Sequence, residues 1–420
     1  MKTKIYILLA AFLAIQACES FVETEDAIVS PNDPTETTLP LLTTAVQVSA
    51  FATYTGQLAR TASIFVQHTT GISDQLLNFT LYNIRENDTG NEWEAIYSNG
   101  MINAQTIIDI AEEEGSPYYV GIAKVLKAMN AGILTDLWGD VPYTETLQGV
   151  ENENPAYTPQ EEVYAAIQQL LDEAIADFSQ PVEANATLPA SDDLIHGGDI
   201  AAWTKTAWIL KARYANRLSQ RGASDADILS FIDNANLIGN EDDAYAKFGD
   251  GANSQNQWYA FNQARGYNRM SDYFVTQLKA LNDPRLATFA SVNSDGEIVG
   301  APMGSPDPNT SQVGGFYASA APQDLPLVTY AEAKFIEAEA ALRAGNATRA
   351  QTAYTEALQA SLDTYDDTDW EIVQADKDAY LAAQGTLADR NQLLFQKYIA
   401  LFTQPEVYAD WRRTGVPELT

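Results

Sequence analysis

Residues 329–362 read TYAEAKFIEAEAALRAGNATRAQTAYTEALQASL, and this stretch decides the fold class. Small and apolar side chains recur in it at helical spacing on both sides of Gly345, a residue type that suits the turn between two helices. The faces predicted to touch carry Ala331, Phe335, Ala338 and Leu342 on the first helix and Ala350, Tyr354, Ala357 and Ser361 on the second. Because most of these side chains are small, the helices can approach closely, so the stretch predicts an antiparallel helix pair.

Four further helices show the same periodicity. Two of them flank the turn-forming residues 115–117 and therefore form a second antiparallel pair. Another follows Thr158, which we expect to cap it together with Glu161 in a capping box, and the fourth begins near Asp199. The spacing of alanine and tyrosine in residues 350–357 matches the second helix of a tetratricopeptide repeat. The sequence thus predicts a mostly α-helical scaffold of tetratricopeptide-like helix pairs.

Residues 221–326 differ from this scaffold, since they are rich in Gly, Asn, Gln, Asp and Pro and have few long periodic runs. We expect mostly loop, interrupted by one short helix near residues 272–281. Long loops in a compact domain often carry binding residues. The predicted ligand surface comprises Asn256, Trp258, Tyr259, Arg265, Tyr267 and Tyr317. Two interpretations of Trp258 stay open, namely stacking on a sugar and packing beneath the loop.

The N-terminal part of the chain has the layout of a lipoprotein export signal. Two lysines precede the apolar run of residues 5–17, which is too short to span a bilayer. Cys18 follows at the position where a lipoprotein peptidase cleaves an acylated chain, the alternative being an ordinary signal peptide before a chance cysteine. Acidic residues and prolines make residues 18–38 a predicted flexible tether. Residues 39–420 are then expected to form a single helical domain.

The charge of the chain restricts its partners. It has 57 acidic against 24 basic residues, a formal net charge of -33. Such a surface repels a phosphate backbone, so we expect no nucleic-acid partner. It also disfavours an anionic ligand unless a local basic pocket overrides it, which makes a neutral glycan the expected ligand.

The sequence offers little for metal or covalent chemistry. With two histidines and one cysteine it cannot build a three-histidine or a cysteine-based zinc centre. It also lacks dinucleotide-binding, P-loop and serine-hydrolase motifs. Carboxylates that could hold calcium occur at Asp363, Asp366, Asp367 and Asp369, but no glycine follows at the EF-hand position, and we prefer a solvated loop. We therefore expect no cofactor.

Two motifs combine Asp and Arg at short spacing, DPRL at residues 283–286 and DWRRTG at residues 410–415. Either could be a recognition motif. Side chains so close in sequence usually pair with each other, and a structural role is therefore favoured.

Six segments together resemble the SusD/RagB family of nutrient-binding outer-membrane lipoproteins. In order they are WGDVPYTE (138–145), TPQEEVYAAIQQLLDEAI (158–175), WTKTAWILKARYANRLS (203–219), SDYFVTQLKALNDPRL (271–286), YAEAKFIEAEAALRAG (330–345) and DWRRTG (410–415). Each segment alone is a weak signal, but their order and spacing over most of the chain make the resemblance specific. Members of the family usually continue past the last motif, and whether the C-terminus is truncated here stays open.

The resemblance implies both an architecture and a function. The fold would be a helical, tetratricopeptide-like scaffold whose irregular loops form the ligand surface. Lipidated Cys18 would anchor the protein in the outer membrane at the cell surface. There it would cap a SusC-like TonB-dependent transporter and deliver oligosaccharide for import, without catalysis.

Two other classes of protein remain as alternatives. A helical glycoside hydrolase or lyase would share this size and acidity and would release reducing ends from a bound glycan. A tetratricopeptide scaffold that binds only proteins would bind no glycan but would still co-purify with a partner.

Overall fold

The computed structural model describes residues 37–420. The predicted signal peptide, Cys18 and nearly all of the predicted tether therefore lie outside the described residues. Within residues 37–420, no helix is both long enough and apolar enough to cross a bilayer.

Nine helices form the N-terminal half of the described chain. They are α1 (Leu39–Thr55), α2 (Gln57–Phe65), α3 (Asp74–Thr80), α4 (Gly90–Ala95), α5 (Ile102–Glu114), α6 (Pro117–Trp138), α7 (Gln160–Phe178), α8 (Ile200–Arg217) and α9 (Asp225–Ala235). A π-helical turn, Ile96–Met101, joins α4 to α5. The long helix α6 packs between α5 and α7, which confirms the antiparallel pair predicted around residues 115–117.

Nine shorter or later helices complete the chain. They are α10 (Gln257–Ala264), α11 (Asp272–Ala280), α12 (Leu286–Phe289), α13 (Gly315–Ala318), α14 (Tyr330–Arg343), α15 (Ala347–Asp363), α16 (Gln374–Gln384), α17 (Arg390–Ala400) and α18 (Glu406–Thr414). Helices α14 and α15 are the pair predicted from residues 329–362. The rings of Phe335 and Tyr354 meet across it with centroids 6.4 Å apart, and Gly345 turns the chain at φ 75°.

Three short antiparallel ribbons of two strands each tie distant parts of the described chain together. Strand β1 (Thr69–Gly71) pairs with β5 (Asn268–Met270), β2 (Val141–Pro142) with β3 (Tyr157–Thr158), and β4 (Ala244–Ala246) with β6 (Leu325–Val328). In the first ribbon Thr69 lies opposite Met270 and Gly71 opposite Asn268. This pairing sets the residues after β1 beside the residues before β5.

The helices around α6 enclose the main hydrophobic core, and the C-terminal helices enclose a second one rich in aromatic residues. Close approach of α6 and α8 requires Gly132. A Cβ atom there would lie only 2.2 Å from the hydroxyl of Tyr214, which is itself buried. Any larger residue at position 132 would push the two helices apart.

Buried ion pairs connect helices that are far apart in sequence. The guanidinium group of Arg213 contacts Glu332, and its Nη1 donates to Glu406 over 3.1 Å. Both Arg213 and Lys211 are buried. The cost of burying these two charges is reduced because each side chain packs through its aliphatic part and pairs with a carboxylate.

The two Asp–Arg motifs form the expected local pairs. Asp283 and Arg285 are fully buried and 2.6 Å apart. In the second motif Arg413 lies 2.9 Å from Asp410, and it also binds Glu339 of α14. Both motifs therefore hold the C-terminal helices together.

Two expectations about local structure were wrong. Helix α7 begins at Gln160 without a cap from Thr158, whose Oγ1 instead accepts the Thr144 N–H over 3.0 Å. The helix end is capped by Asp140, whose Oδ1 accepts the Gln160 N–H over 2.9 Å. Residues 221–326 are also more regular than expected, because α9, α10, α12 and α13 form there in addition to the predicted α11.

Candidate functional site

Three of the predicted ligand residues have structural roles instead. Asn256 caps α10, because its Oδ1 accepts the N–H groups of Trp258 and Tyr259 and its Nδ2 donates to the Tyr317 carbonyl. Trp258 is fully buried, which settles its two interpretations in favour of packing. Tyr317 is 3% exposed and shares a hydrogen bond with the hydroxyl of Tyr365. Side chains inside the core cannot stack on a ligand, so these three predictions require correction.

The other three predicted residues lie at the surface. Tyr259 and Tyr267 are half-buried and Arg265 is exposed. Tyr267 immediately precedes β5, and its carbonyl accepts the N–H of Ile72 over 3.0 Å. The β1–β5 ribbon therefore places Tyr267 next to the segment that contains α3, which the sequence had not implicated.

A small apolar cluster lies beneath this surface. Ile64, Leu76 and Phe79 are almost completely buried, and the half-buried rings of Phe65, Phe261 and Tyr267 pack against them. Phe261 and Tyr267 meet edge to face with centroids 5.3 Å apart. Phe65 also contacts Tyr82, 5.9 Å away, and Tyr408, 5.4 Å away. We call the five rings of Phe65, Tyr82, Phe261, Tyr267 and Tyr408 the aromatic face.

Tyr82 is the most exposed member of the aromatic face, with 68% of its surface accessible. It follows the C-terminus of α3 with φ 55°, where its N–H donates to Phe79 and the N–H of Asn83 donates to Asn78. This is the position after a helix that glycine usually occupies, and a side chain there costs about 1 kcal/mol or more. Glycine would fit this backbone position without that cost, which makes the exposed ring of Tyr82 a candidate for ligand contact.

Cations and amides border the aromatic face. The guanidinium carbon of Arg60 lies 4.3 Å from the centre of the Phe261 ring, and burial lowers the pKa of Arg60 to about 10. Burial raises the pKa of Tyr267, the charge of Arg265 lowers it, and the carboxylate of Asp74 raises it again. Asn83 is exposed beside Tyr82 and offers both a donor and an acceptor.

A half-open cavity of about 380 Å³ lies along α10. Its lining includes Asn262, Gln312 and the half-buried indole of Trp370. The amide of Asn262 donates to Val313, but its oxygen has no hydrogen-bond partner within the protein. The combination of one aromatic ring and several amides suits the edge of a sugar ring, so this cavity is a second candidate for ligand contact.

Calcium binding at residues 363–369, the alternative to a solvated loop, gains no support from the geometry. In residues 37–420 no group of three or more His, Cys, Asp or Glu side chains is arranged to hold a metal ion. Asp363 and Asp366, two of the four carboxylates considered for calcium, both contact the Nζ of Lys377. That ammonium group takes the place that a cation would need.

Both histidines are structural. His68 lies among aromatic rings, 4.2 Å from the ring of Tyr398, and burial lowers its pKa to about 3. Burial likewise lowers the pKa of His196 to about 4, and its Nε2 hydrogen-bonds the hydroxyl of Thr206 over 2.8 Å. Both rings are therefore neutral at physiological pH.

Comparisons with known proteins agree on one family. A family model described as starch-binding and associating with the outer membrane, and named SusD-like, matches residues 31–420. A solved SusD/RagB family protein from Bacteroides thetaiotaomicron is 26% identical, with a TM-score of 0.78 over 90% of this chain and 86% of the other. A chitin-binding SusD homologue from Flavobacterium johnsoniae is 21% identical, with a TM-score of 0.77 over 91% and 86%.

A third solved structure, of a SusD homologue from Bacteroides fragilis, is 22% identical, with a TM-score of 0.76 over 91% of this chain and 88% of the other. At such identities the last two structures show a common fold only. A search of curated protein sequences finds no match. Because the family model spans nearly the whole sequence, the chain belongs to the SusD-like family of the SusD/RagB proteins.

Proposed function

We propose that the protein is a cell-surface lipoprotein that binds a glycan at its aromatic face and passes it to a SusC-like TonB-dependent transporter. Membership of a family described as starch-binding and associating with the outer membrane supports the general class. We place the site at this face because of one observation. Tyr82 exposes its ring although its positive φ angle favours glycine.

The aromatic face suits the chemistry of a sugar. A pyranose ring has an apolar face of C–H groups, which can stack on an exposed ring such as that of Tyr82 and contribute about 1 kcal/mol beyond the buried area. Its hydroxyl groups at the edge need donors and acceptors, and Asn83, Arg265 and the hydroxyl of Tyr267 provide them. Tyr259 and the cavity beside α10 would extend the contact along an oligosaccharide.

Binding without catalysis agrees with the groups around this face. The face consists of aromatic rings, with guanidinium groups, amides and the carboxylate of Asp74 around it, whereas glycoside hydrolysis requires two carboxyl groups about 5 to 9.5 Å apart on either side of the scissile bond. The hydrolase alternative predicts new reducing ends when a bound glycan is incubated with the protein. A binding protein leaves the glycan intact.

Anchoring would follow from lipidation of Cys18. If the residues between Cys18 and α1 are extended, about 20 residues reach up to roughly 70 Å, so the domain could sit over the mouth of a transporter while remaining anchored. A lid of this kind would bury roughly 2,000 Å² or more against its partner, as permanent complexes do. Solubilised native membranes should then yield the protein together with a β-barrel transporter, and recovery of the protein alone would contradict this part of the proposal.

The glycan site is tested most sharply by Tyr82→Gly. Glycine keeps the backbone conformation at φ 55° and removes the ring, so affinity should change without loss of the fold. Calorimetric titration with starch- and chitin-derived oligosaccharides should show binding to the native protein and about tenfold weaker binding to the variant.

A matched control is Tyr157→Ala. Tyr157 is 66% exposed, comparable with Tyr82, but lies in the β2–β3 ribbon. This variant should bind as the native protein does. Equal affinity of the native protein and Tyr82→Gly would remove Tyr82 from the site, and failure of every glycan to bind would favour the protein-only scaffold.

A further inference from the structure

A second pocket, separate in its residues from the aromatic face, opens where α18 meets the ends of α6, α7 and α8. Its volume is about 260 Å³. Four arginines line it, Arg217, Arg221, Arg412 and Arg413, whereas Asp136 is the one carboxylate in the lining. In a chain with a formal charge of -33, such a concentration of guanidinium groups is unexpected.

The two inner arginines are held by the fold. Arg217 contacts Asp136 and Glu406, and its side chain is only 9% exposed. Arg413 binds Glu339 and Asp410 and is 6% exposed. The Nε atoms of both arginines are nevertheless buried without a hydrogen-bond partner in the protein. The wall of the pocket thus carries two guanidinium groups that the fold holds in place.

The two outer arginines are available for a ligand. Arg221 and Arg412 are exposed, and within residues 37–420 neither lies within 4.0 Å of a carboxylate. Arg412 donates one hydrogen bond, from Nη1 to the main-chain oxygen of Asp136 over 2.7 Å, which directs its guanidinium group towards the pocket. The hydroxyl of Tyr164 adds a polar group to the lining, although it already donates to the Asp136 carboxylate.

We propose that this pocket binds a small oxyanion, a carboxylate, sulfate or phosphate group, between the guanidinium groups of Arg221 and Arg412 at its rim and those of Arg217 and Arg413 inside. Planar guanidinium groups match the paired oxygens of such anions and bind them by charge-assisted hydrogen bonds. The oxyanion comes either from a free inorganic ion or from an acidic sugar. The site would override locally the repulsion that the acidic surface exerts on anionic ligands.

The test compares thermal unfolding in chloride with unfolding at the same ionic strength in about 10 mM inorganic phosphate or glucuronate, a concentration above a sub-millimolar Kd. The native protein should melt roughly 2 °C or more higher in the preferred anion. Arg221→Gln and Arg412→Gln should each lose at least half of that shift, because these side chains carry no carboxylate partner and their removal leaves the fold intact.

Lys279→Gln is the matched control. Lys279 is equally exposed and its Nζ bonds only the main-chain oxygen of Ile298, so this variant loses the same charge elsewhere on the surface. It should keep the full shift. A rise in melting temperature with phosphate alone identifies a free inorganic anion. A rise with glucuronate alone identifies an acidic sugar. Equal shifts in the native protein and both arginine variants, or no shift with either anion, would overturn the proposal while leaving the glycan site unaffected.

Discussion

The ring of Tyr82 stacks on the ring of Phe65 with centroids 5.9 Å apart and planes inclined by 19°, and the opposite face of Tyr82 remains open to solvent. Phe65 thus packs against one face of the Tyr82 ring and limits the rotation of that ring. A ring that is already fixed loses little conformational entropy when a ligand binds, which favours affinity. The packing of the Tyr82 ring on Phe65 offsets part of the energetic cost of the positive φ angle at Tyr82.

Two substitutions at Tyr82 should separate backbone strain from ring contacts. Both Tyr82→Ala and Tyr82→Gly lose the stacking on Phe65, but only alanine retains a Cβ atom at φ 55°. Tyr82→Gly should therefore be more stable than Tyr82→Ala by about 1 kcal/mol. Chemical denaturation of the two variants measures the difference, and equal stabilities would show that the position is not strained.

Trp258→Ala should act on stability and not on ligand binding. Trp258 is fully buried in the second core and packs near Phe402, so its removal leaves a cavity that should cost about 3 to 5 kcal/mol of unfolding free energy. Glycan affinity measured below the lowered melting temperature should stay unchanged. Tyr267→Ala is the contrasting variant, since it should weaken binding more than it lowers stability.

Acid should destabilise the protein through His68. Burial lowers the pKa of this residue from its ordinary value of 6.5 to about 3 in the folded state, so the unfolded chain binds more protons below pH 6.5. The stability contributed by neutral His68 is complete above pH 6.5 and is lost progressively as the pH falls, by about 2 kcal/mol at pH 5.

His68→Gln tests this dependence, because glutamine can still bond the carbonyl of Tyr398 but does not titrate. Its unfolding free energy should vary less between pH 7 and pH 5 than that of the native protein. The same slope in both proteins would assign the acid sensitivity to other groups, with His196, whose pKa burial also lowers, as the first to examine.

Cys18→Ser should release the protein from the membrane fraction. Acyl chains on Cys18 would anchor the protein because each buried methylene group contributes about 0.8 kcal/mol, and serine cannot carry them. Fractionation of cells should find the variant in the soluble fraction with its fold and glycan affinity intact. Continued sedimentation with membranes would contradict lipid anchoring.

The helical scaffold could be predicted because its signals are local. In residues 329–362 the periodicity, the small residues and the turn at Gly345 all occur within one short segment, and the structure confirms the pair. The error at Thr158 has a different origin. Asp140 caps α7 from 20 residues away, across the β2–β3 ribbon, and no local pattern shows that the aspartate lies there.

The candidate site was predicted less well because it depends on contacts between distant segments. Arg60 bonds the carbonyl of Gln257, 197 residues later, and the β1–β5 ribbon joins the same regions. Tyr82 follows a helix of only seven residues, too short for a clear periodic signal. Burial of Trp258 depends on the C-terminal helices that cover it. Composition alone therefore indicated a loop-rich region but not which of its side chains are exposed.

The second core joins the two ends of the described chain, since His68 hydrogen-bonds the carbonyl of Tyr398, 330 residues later. A chain that has folded only its first half cannot possess the complete ligand surface, because Tyr267 and Tyr408 come from later segments. Ligand affinity would therefore report that folding is finished. A sugar bound between these segments would also stabilise the contact between the N-terminal and C-terminal helices. Both sets of helices would then open less often and be cleaved more slowly by proteases.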